Sequence, residues 1–373
     1  MQKGVEKISF DALIKINKGF ETLFDGSHSP KYSEILEGEK DYALIITFNS
    51  LKSLFSYIYT SQIANSVSLI IDRKKDINKL IIPQQLKSLL PKDGTFRITT
   101  KIGYEREIGE LFKEYKVDLK NPDFNIEIQE FNSEFFLSLD LSGDLSKRDY
   151  KVFNNPLSLK GTTAFGALML SGYKKGKSLL DPYCNSGTIG IEAVLYNNNI
   201  SPRFYNKNFP FTKLFVNIDI ESFFGDMDAK AKYDMLSITV ADPLLRNITA
   251  ARRNAKVAGV EKCMRFRRID IDWMDIKHNE KQFDYILTFI PGSSKHKSLA
   301  SLKKEFEELF YQTEYIIKKE GIVSILCLSK DLLIDSASKY FVLKELKTFY
   351  SGTQLMYLLL FEKRTAKDKA KTD

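Results

Sequence analysis

The sequence has 373 residues, 43 % of them hydrophobic, with a net charge of +8 and a pI near 9.0. This length predicts two or three domains, and the hydrophobic fraction is typical of a protein with a packed core. The apolar runs are shorter than the roughly 20 residues that cross a bilayer, and the first residues lack the apolar segment of a secretory signal. A membrane-spanning or secreted protein is therefore not expected.

The numbers and positions of cysteine and histidine residues argue against disulfide bonds and a metal site. Three cysteines and three histidines at scattered positions form neither a disulfide framework nor a metal-ligand pattern. We therefore expect a cytoplasmic protein without a metal site. The positive net charge has two interpretations that the sequence leaves open, namely lysines that keep the protein in solution or a surface for a polyanionic partner.

The first half of the chain alternates strand and helix patterns, which favours small α+β modules. Segments that alternate with period two on either side of Phe131-Asn-Ser133 predict a hairpin. The predicted strands are 41–48, 67–72, 96–100, 124–129 and 134–141, and the predicted helices are 51–64 and 103–115.

In the second half, each predicted strand is followed by a helix or another strand, which predicts a mostly parallel, doubly wound sheet. The boundary between the halves is expected near residues 143–155. The predicted strands are 178–181, 237–241, 264–269, 285–288, 322–328, 342–346 and 354–361, and the predicted helices begin near 187 and span 246–258 and 302–319.

The segment Asp181-Pro-Tyr-Cys-Asn-Ser-Gly-Thr188 follows a predicted strand and precedes a predicted helix. In a doubly wound sheet, ligands bind at the carboxyl ends of the strands, where such a turn lies. Gly187 lets the backbone approach a ligand closely, and the helix that follows presents free N–H groups. Alone, the segment also fits an ordinary strand-to-helix turn. The candidate cofactor-binding residues here are Asp181, Tyr183, Asn185, Ser186, Gly187 and Thr188.

Two further acidic residues close the next two predicted strands. Asp242 is placed to accept hydrogen bonds from both hydroxyls of an adenosine ribose, and Asp270 from an adenine amino group. Each alone also fits a solvated acid near a helix start. The turn lacks the Gly-x-Gly-x-x-Gly of a dinucleotide site and the Lys-Ser/Thr of a phosphate loop. The three acids together favour S-adenosylmethionine (SAM) as the cofactor.

Several segments resemble the THUMP-domain RNA guanine-N2 methyltransferases. That family reads Asp-Pro-[Phe/Met]-Cys-Gly-Ser-Gly-Thr-Ile, which residues 181–189 match with Asn185 in place of a glycine. Its Lys-Arg-Gly-Tyr-Arg segment is similar to Lys147-Arg-Asp-Tyr-Lys151, and its Ala-Pro-Leu-rich segment is similar to Asn155-Pro-Leu-Ser-Leu-Lys160. Further similarity lies at Phe96-Arg-Ile98, Val117-Asp-Leu-Lys-Asn-Pro-Asp123 and Asn208-Phe-Pro-Phe211.

The resemblance implies an α/β protein whose C-terminal Rossmann-like SAM methyltransferase domain is preceded by α+β ferredoxin-like and THUMP modules. Gly4-Val-Glu6 resembles the start of the first helix in the ferredoxin-like module, so the usual first strand is expected to be missing. The implied partner is tRNA or another structured RNA, bound by a monomer or a weak dimer. The implied domains are a ferredoxin-like module at 1–65, a THUMP domain at 66–145, a linker at 146–160, the methyltransferase domain at 161–363 and a charged tail at 364–373.

The family's catalytic motif, Asn/Asp-Pro-Pro-Tyr after the fourth strand of the sheet, is not kept. Counting from Asp284, its four positions are occupied by Phe289, Ile290, Pro291 and Gly292. In the family, a side-chain acceptor and a carbonyl bind the protons of the target amine, and the aromatic ring stacks on the base. Phe289 has no acceptor, and the loss of one such partner typically costs about 10²–10³ in rate. The ring of Phe289 could instead stack on the target base, and the hydroxyl of Ser293 or Ser294 could accept the amine protons.

Two functions of different classes remain open. The first is an RNA methyltransferase that acts on the exocyclic N2 amine of a tRNA guanosine near the acceptor stem, with a degenerate catalytic motif of Phe289, Pro291 and Gly292. The second is a catalytically silent relative that binds RNA, and a Rossmann-like enzyme outside the SAM class is a distant third. Basic residues near the linker and on a THUMP-like strand are candidates for RNA phosphates, or else solvated surface charges. These candidates are Arg97, Lys101, Lys147, Arg148, Lys151 and Lys160.

Overall fold

The computed structural model describes residues 9–26, 30–38, 41–290 and 298–364. The strands in these ranges are β1 (Phe10–Asn17), β2 (Glu34–Glu37), β3 (Asp41–Phe48), β4 (Ser66–Lys74), β5 (Thr95–Thr100), β6 (Lys116–Val117), β7 (Phe124–Phe131), β8 (Glu134–Asp140), β9 (Leu179–Asp181), β10 (Ile238–Asp242), β11 (Arg265–Arg268), β12 (Phe283–Ile290), β13 (Ile317–Cys327), β14 (Phe341–Ser351) and β15 (Gln354–Lys363).

The α-helices in the same part of the chain range from single turns to five turns in length. They are α1 (Leu51–Thr60), α2 (Gln84–Lys87), α3 (Glu105–Gly109), α4 (Gly161–Leu170), α5 (Thr188–Asn197), α6 (Ile220–Asp228), α7 (Leu245–Val257), α8 (Met274–Lys277), α9 (Leu299–Ile316) and α10 (Asp331–Ala337). The chain divides into two compact units, one of residues 1–146 and 203–230 and the other of residues 147–202 and 231–373.

The first unit contains an eight-stranded sheet in the order β2-β3-β1-β4-β8-β7-β5-β6. The predicted hairpin is confirmed, since Phe131 pairs with Glu134 across the turn. Asn132 and Ser133 both adopt a positive φ, which the tightest hairpin turns require and which suits asparagine. The helix predicted at 103–115 is shorter than expected, because α3 gives way to a 3₁₀ turn at Glu110–Phe112.

The expectation of a missing first strand is wrong. Residues Phe10–Asn17 form β1, which lies between β3 and β4 and pairs antiparallel with both. Because it has a neighbour on each side, β1 is an interior strand of the sheet, and Leu13, Ile14 and Ile16 on it are buried. The resemblance placed at Gly4–Glu6 lies outside the described residues. Because β4 pairs with both β1 and β8, the expected module boundary at residue 65 falls within one continuous sheet.

The segment 203–230 belongs to the first unit, although the sequence-based domain at 161–363 includes it. Aromatic packing explains the difference. The Phe211 ring stacks on Phe55 with centroids 4.2 Å apart, and the hydroxyl of Tyr59 donates to Asp228 Oδ1 at 2.6 Å. Phe223 is also buried here. Such aromatic contacts contribute about 0.5–1.5 kcal/mol each beyond their buried area, so they attach this segment firmly to α1.

The second unit contains a seven-stranded sheet in the order β11-β10-β9-β12-β13-β15-β14. The first five strands are parallel, and β15 runs antiparallel between β13 and β14. The prediction of a mostly parallel, doubly wound sheet is therefore confirmed. Because β9 is the middle one of the five parallel strands and the strand order reverses there, the carboxyl end of β9 is the place where such sheets bind ligands.

Helix α4 has no counterpart among the predicted elements. All ten of its residues, Gly161–Leu170, are buried, so the helix has no polar face and its sequence has no amphipathic period. Periodicity therefore could not reveal it.

No helix in the described ranges is long and apolar enough to cross a membrane.

Candidate active site

The loop between β9 and α5 lies at the carboxyl end of β9, the middle one of the five parallel strands. Two of its residues, Asn185 and Gly187, have positive φ angles of 55° and 80°. The amide N–H of Gly187 donates to the carbonyl of Cys184 at 2.7 Å, which closes the turn before α5 begins at Thr188. Asparagine tolerates the left-handed region better than most residues, so Asn185 keeps the backbone shape that a glycine would give.

Gly187 packs against α7 as closely as a glycine can. A Cβ atom at this position would lie 2.7 Å from the Cβ of Ala251. On the same side, the carbonyl of Ser186 accepts a hydrogen bond from Asn254 Nδ2 at 3.0 Å. The close approach seen at Gly187 is therefore to helix α7, and its approach to a ligand stays a prediction.

We expect Gly187→Ala to lower the free energy of unfolding by about 2–4 kcal/mol and to weaken SAM binding at least tenfold. The left-handed conformation and the overpacking against Ala251 both add to the cost. Thermal unfolding and calorimetric titration measure the two effects. Gly172→Ala is the matched control, because Gly172 has a φ of +74° but no atom within 4 Å of the place that its Cβ would take. Equal losses in the two variants would contradict the packing argument.

Asp181 ends β9 and is 1 % exposed. Its Oδ1 accepts a hydrogen bond from the hydroxyl of Thr288 on β12 at 2.7 Å. Burial raises the pKa of Asp181 to about 8, and the nearby charge of Asp242 acts in the same direction. A cation that binds beside such a buried acid favours its deprotonated form, because the carboxylate attracts the cation and the neutral acid does not.

Asp242 ends β10 and is also buried. It accepts hydrogen bonds from the amide of Leu244 at 2.9 Å, Asn247 Nδ2 at 3.0 Å and the amide of Asn185 at 3.1 Å. A carboxylate has about four acceptor positions, and three are used here. Burial raises the pKa of Asp242, and these bonds oppose the shift. Asp242 therefore holds the β9–α5 loop against α7.

Asp270 is exposed and follows β11, where its carbonyl accepts a hydrogen bond from the amide of Trp273 at 3.0 Å. Two strand spacings of about 4.8 Å separate β11 from β9, so Asp270 lies roughly 10 Å to one side of Asp181. The three acids thus close three adjacent strands in the order that the sequence predicted.

A cleft brings most of the predicted cofactor residues together with Phe289. Its cavity measures about 10 Å³, which is barely enough for one water molecule. The linker contributes Leu157 and Leu159 to the wall. The full lining is Leu157, Leu159, Asp181, Tyr183, Cys184, Asn185, Ser186, Thr188, Ile189 and Phe289.

Three residues that the sequence analysis missed hold this site. Thr288 links Asp181 to the loop, because its hydroxyl oxygen also accepts from the amide of Tyr183 at 3.2 Å. Glu305 on α9 accepts from the hydroxyl of Tyr183 at 3.1 Å, and Asn155 in the linker donates from Nδ2 to the side chain of Asn185. Two of them carry a signal in the sequence, Thr288 as a polar residue within an apolar strand and Asn155 as the first residue of a segment that resembles the methyltransferase family.

The predicted catalytic residues divide between described and undescribed parts of the chain. Phe289 is half-buried in the cleft wall near the end of β12. Pro291 and Gly292 lie outside the described residues, as do Ser293 and Ser294. The structure therefore places the apolar ring of Phe289 in the wall of this cleft, and its catalytic role stays a prediction.

Two of the basic linker residues are not free for RNA. Arg148 is a buried side chain, and its Nε donates to Glu192 Oε1 on α5 at 2.7 Å. The prediction that Arg148 binds RNA phosphate is therefore wrong, because solvent and RNA do not reach its guanidinium. Lys151 is half-buried, its Nζ donates to the carbonyl of Leu159, and burial lowers its pKa.

The remaining basic candidates differ in exposure. Lys101, Lys147 and Lys160 are exposed, which an RNA contact requires. Arg97 is half-buried on β5, where its guanidinium donates to Asn125 Oδ1 at 3.3 Å and to the carbonyl of Leu119 at 3.4 Å. The three lysines thus stay candidates, while Arg97 already has partners within the protein.

Comparison with known sequences identifies relatives along the chain. The tRNA (guanine(6)-N2)-methyltransferase of Methanocaldococcus jannaschii is 25 % identical over 385 residues, covering 94 % of this chain and all of the relative. The enzyme of the same name from Archaeoglobus fulgidus is 34 % identical over 179 residues, covering 47 % of this chain and 41 % of the relative.

Solved structures show the same fold at low identity. TrmN from Thermus thermophilus superposes with a TM-score of 0.69 at 18 % identity, covering 96 % of this chain and all of that chain. The protein SMU.472, crystallised with SAH, gives a TM-score of 0.75 at 18 % identity, covering 97 % of this chain and all of that chain. The family described as "RMKL-like, methyltransferase domain" (UPF0020) matches residues 148–355. The chain therefore belongs to the UPF0020 family of RMKL-like methyltransferase domains.

Proposed function

We propose that this chain is a SAM-dependent RNA methyltransferase that acts on the N2 amine of a guanosine in tRNA. The observation that carries the proposal is the row of three acids, Asp181, Asp242 and Asp270, at the carboxyl ends of adjacent strands beside the β9–α5 loop. Relatives named tRNA (guanine(6)-N2)-methyltransferase support the substrate. The acceptor-stem region is the part of the tRNA that the resemblance implies.

The residues present fit SAM. Gly187 gives the β9–α5 loop a left-handed backbone that packs against α7, and the buried carboxyl of Asp181 suits a cationic ligand. Asp242 would hold the ribose hydroxyls, and Asp270 the adenine amino group. When bound, SAM supplies an electrophilic methyl group. The chain's own task is to orient the target amine and to exclude water from it.

The first unit is proposed to hold the RNA. Residues 1–65 would form the ferredoxin-like part and residues 66–145 the THUMP part of its single sheet. Lys101 on this unit, and Lys147 and Lys160 near the linker, would contact phosphates from their exposed positions. We also propose that the protein works in the cytoplasm as a monomer or weak dimer, without a metal.

A catalytically silent RNA-binding relative is the second candidate, and one observation favours it. Phe289 lies in the cleft wall and its side chain offers no hydrogen-bond acceptor. Incubation with an unmodified tRNA transcript and methyl-labelled SAM separates the two candidates. Label in the RNA above that seen with Asp181→Asn identifies the enzyme, whereas RNA binding without label identifies the silent relative.

We expect the triple variant Phe289→Asn, Ile290→Pro, Gly292→Tyr to methylate RNA about 10²–10³ times faster than the natural chain. The variant restores an acceptor for the amine protons, which such a step typically needs. Single-turnover labelling measures the rate.

The matched control keeps Ile290→Pro and Gly292→Tyr but carries Phe289→Leu, so it has the new loop without the acceptor. A gain that the control shares would assign the effect to loop shape. No gain in either variant would show that the natural loop already performs the step or that the site has lost it elsewhere.

A further inference from the structure

One edge of the second unit's sheet carries a concentration of positive charge outside the site described above. Strand β11 is the edge strand, and within the described residues only β10 pairs with it. Beside it lies an open cleft of about 480 Å³. We call the four cations that line this cleft the basic edge, and they are Arg252, Lys262, Arg265 and Arg267.

All four side chains of the basic edge are exposed. One carboxylate, Glu261, shares the cleft and lies 3.9 Å from Arg252, with both side chains open to solvent. An exposed pair of this kind contributes little and leaves the guanidinium available. Positive charge therefore exceeds negative charge in the cleft.

The geometry suits a chain of phosphates. Arg265 and Arg267 are two residues apart on a strand, so they point to the same side about 6.6 Å apart. By the same alternation Phe266 points to the opposite face, where the Arg252 guanidinium lies 5.3 Å from the centre of its ring, so the cations of the basic edge surround the edge strand. Three of the four cations are arginines, whose planar fork matches phosphate oxygens in a bidentate way.

The position of the basic edge sets what it can contact. Three strand spacings of about 4.8 Å separate β11 from β12, so the edge lies roughly 14 Å from the strand that ends in Phe289. That distance is too long for a contact with a base held at β12. It is suitable for the backbone on one side of that base.

We propose that the basic edge binds the phosphate backbone of the RNA substrate and thereby holds the strand beside the catalytic cleft. This inference rests on the proposed function, because that function supplies RNA as the partner. Phosphate contacts release counterions, so each one makes binding more dependent on salt. Edge strands also carry charges to prevent pairing between molecules, and the experiment distinguishes the two roles.

The test compares Arg265→Gln/Arg267→Gln with the natural full-length chain. Affinity for an unmodified tRNA transcript is measured between about 50 and 200 mM salt. Each lost phosphate contact reduces the slope of log affinity against log salt by roughly 0.7–0.9, so we expect the double variant to reduce it by about 1.4–1.8. Calorimetric SAM binding and the melting temperature are expected to stay unchanged.

The matched control is Lys304→Gln/Lys319→Gln, which removes two exposed charges on α9 and β13. It is expected to keep the natural slope. If the natural chain binds tRNA and the double variant keeps the same salt slope, the proposed role of the basic edge is wrong, while the proposed function still stands. An equal fall in the control would overturn the role of the basic edge as well. No RNA binding by the natural chain would overturn the proposed function and this inference together.

Discussion

Replacing Arg148 with Gln is expected to lower the free energy of unfolding by about 3–5 kcal/mol, because it leaves the Glu192 carboxylate buried without its cation. Both side chains are fully buried, and the hydroxyl of Tyr150 also donates to Glu192 Oε1 at 2.7 Å. Urea unfolding measures the loss directly. In a unit of about 200 residues, a loss of that size lowers the melting temperature by roughly 6–20 °C.

Two control variants make this result specific. Lys147→Gln removes the neighbouring exposed charge and is expected to change stability by less than about 0.5 kcal/mol. Arg148→Met combined with Glu192→Leu removes both charges, and we expect it to recover most of the loss. A stable Arg148→Gln variant with a reduced salt slope of RNA binding would instead support the original assignment of Arg148 to RNA.

The ion pair between Arg148 and Glu192 also fixes the position of the linker beside the candidate active site. It joins the linker to α5, the helix that begins at the cofactor loop, and a Cβ on Gly161 would lie 2.5 Å from Arg148 Cγ. Farther along the linker, the amide N–H of Phe153 donates a hydrogen bond to Asn254 Oδ1 at 2.9 Å. The linker is therefore held along the loop, with Leu157 in the wall of the cleft.

Asp181→Asn is expected to remove most of the pH dependence of SAM binding between pH 6 and 8. With its pKa at about 8, Asp181 is mainly protonated at neutral pH before a ligand binds. A positively charged ligand prefers the carboxylate, so natural affinity should rise about tenfold per pH unit below 8 and then level off. Calorimetry at four pH values measures this slope for both proteins.

The ligand's own titrations affect both proteins equally, so the difference between them isolates Asp181. Asp284→Asn is the matched control, because Asp284 lies near the start of β12, where Ser178 and Lys318 keep its pKa below its usual value. It is expected to leave the pH slope unchanged. A natural chain whose affinity is constant from pH 6 to 8 would contradict the role of Asp181.

The pH dependence of the free energy of unfolding gives a second measure of the raised pKa of Asp181. The folded-state pKa of Asp181 lies above its ordinary value, so the folded chain binds the extra proton between about pH 4 and 8. Its stabilising contribution is therefore complete at low pH and is lost as the pH rises to 8. Relative to Asp181→Asn, the natural chain should lose about 1.4 kcal/mol per pH unit in that window.

Local patterns in the sequence predicted much of the second unit. The sequence predicts strand β9, helix α7 and strand β15 within a few residues of their observed ends, because the strands are short apolar runs and α7 has apolar residues at helical spacing. The acids at 181, 242 and 270 were found because strand ends are local features. Helix α4 was missed because it is buried on all sides and shows no period.

By itself, the sequence determined the order of the elements, the doubly wound sheet and the row of acids at its edge, since these depend on neighbours along the chain. Only the tertiary structure decided which charged groups are buried and which distant segments meet. Arg148 and Lys147 are adjacent in sequence, yet one faces Glu192 in the core and the other faces solvent. The segment 203–230 joined the first unit for the same reason, because aromatic packing depends on which surfaces come together.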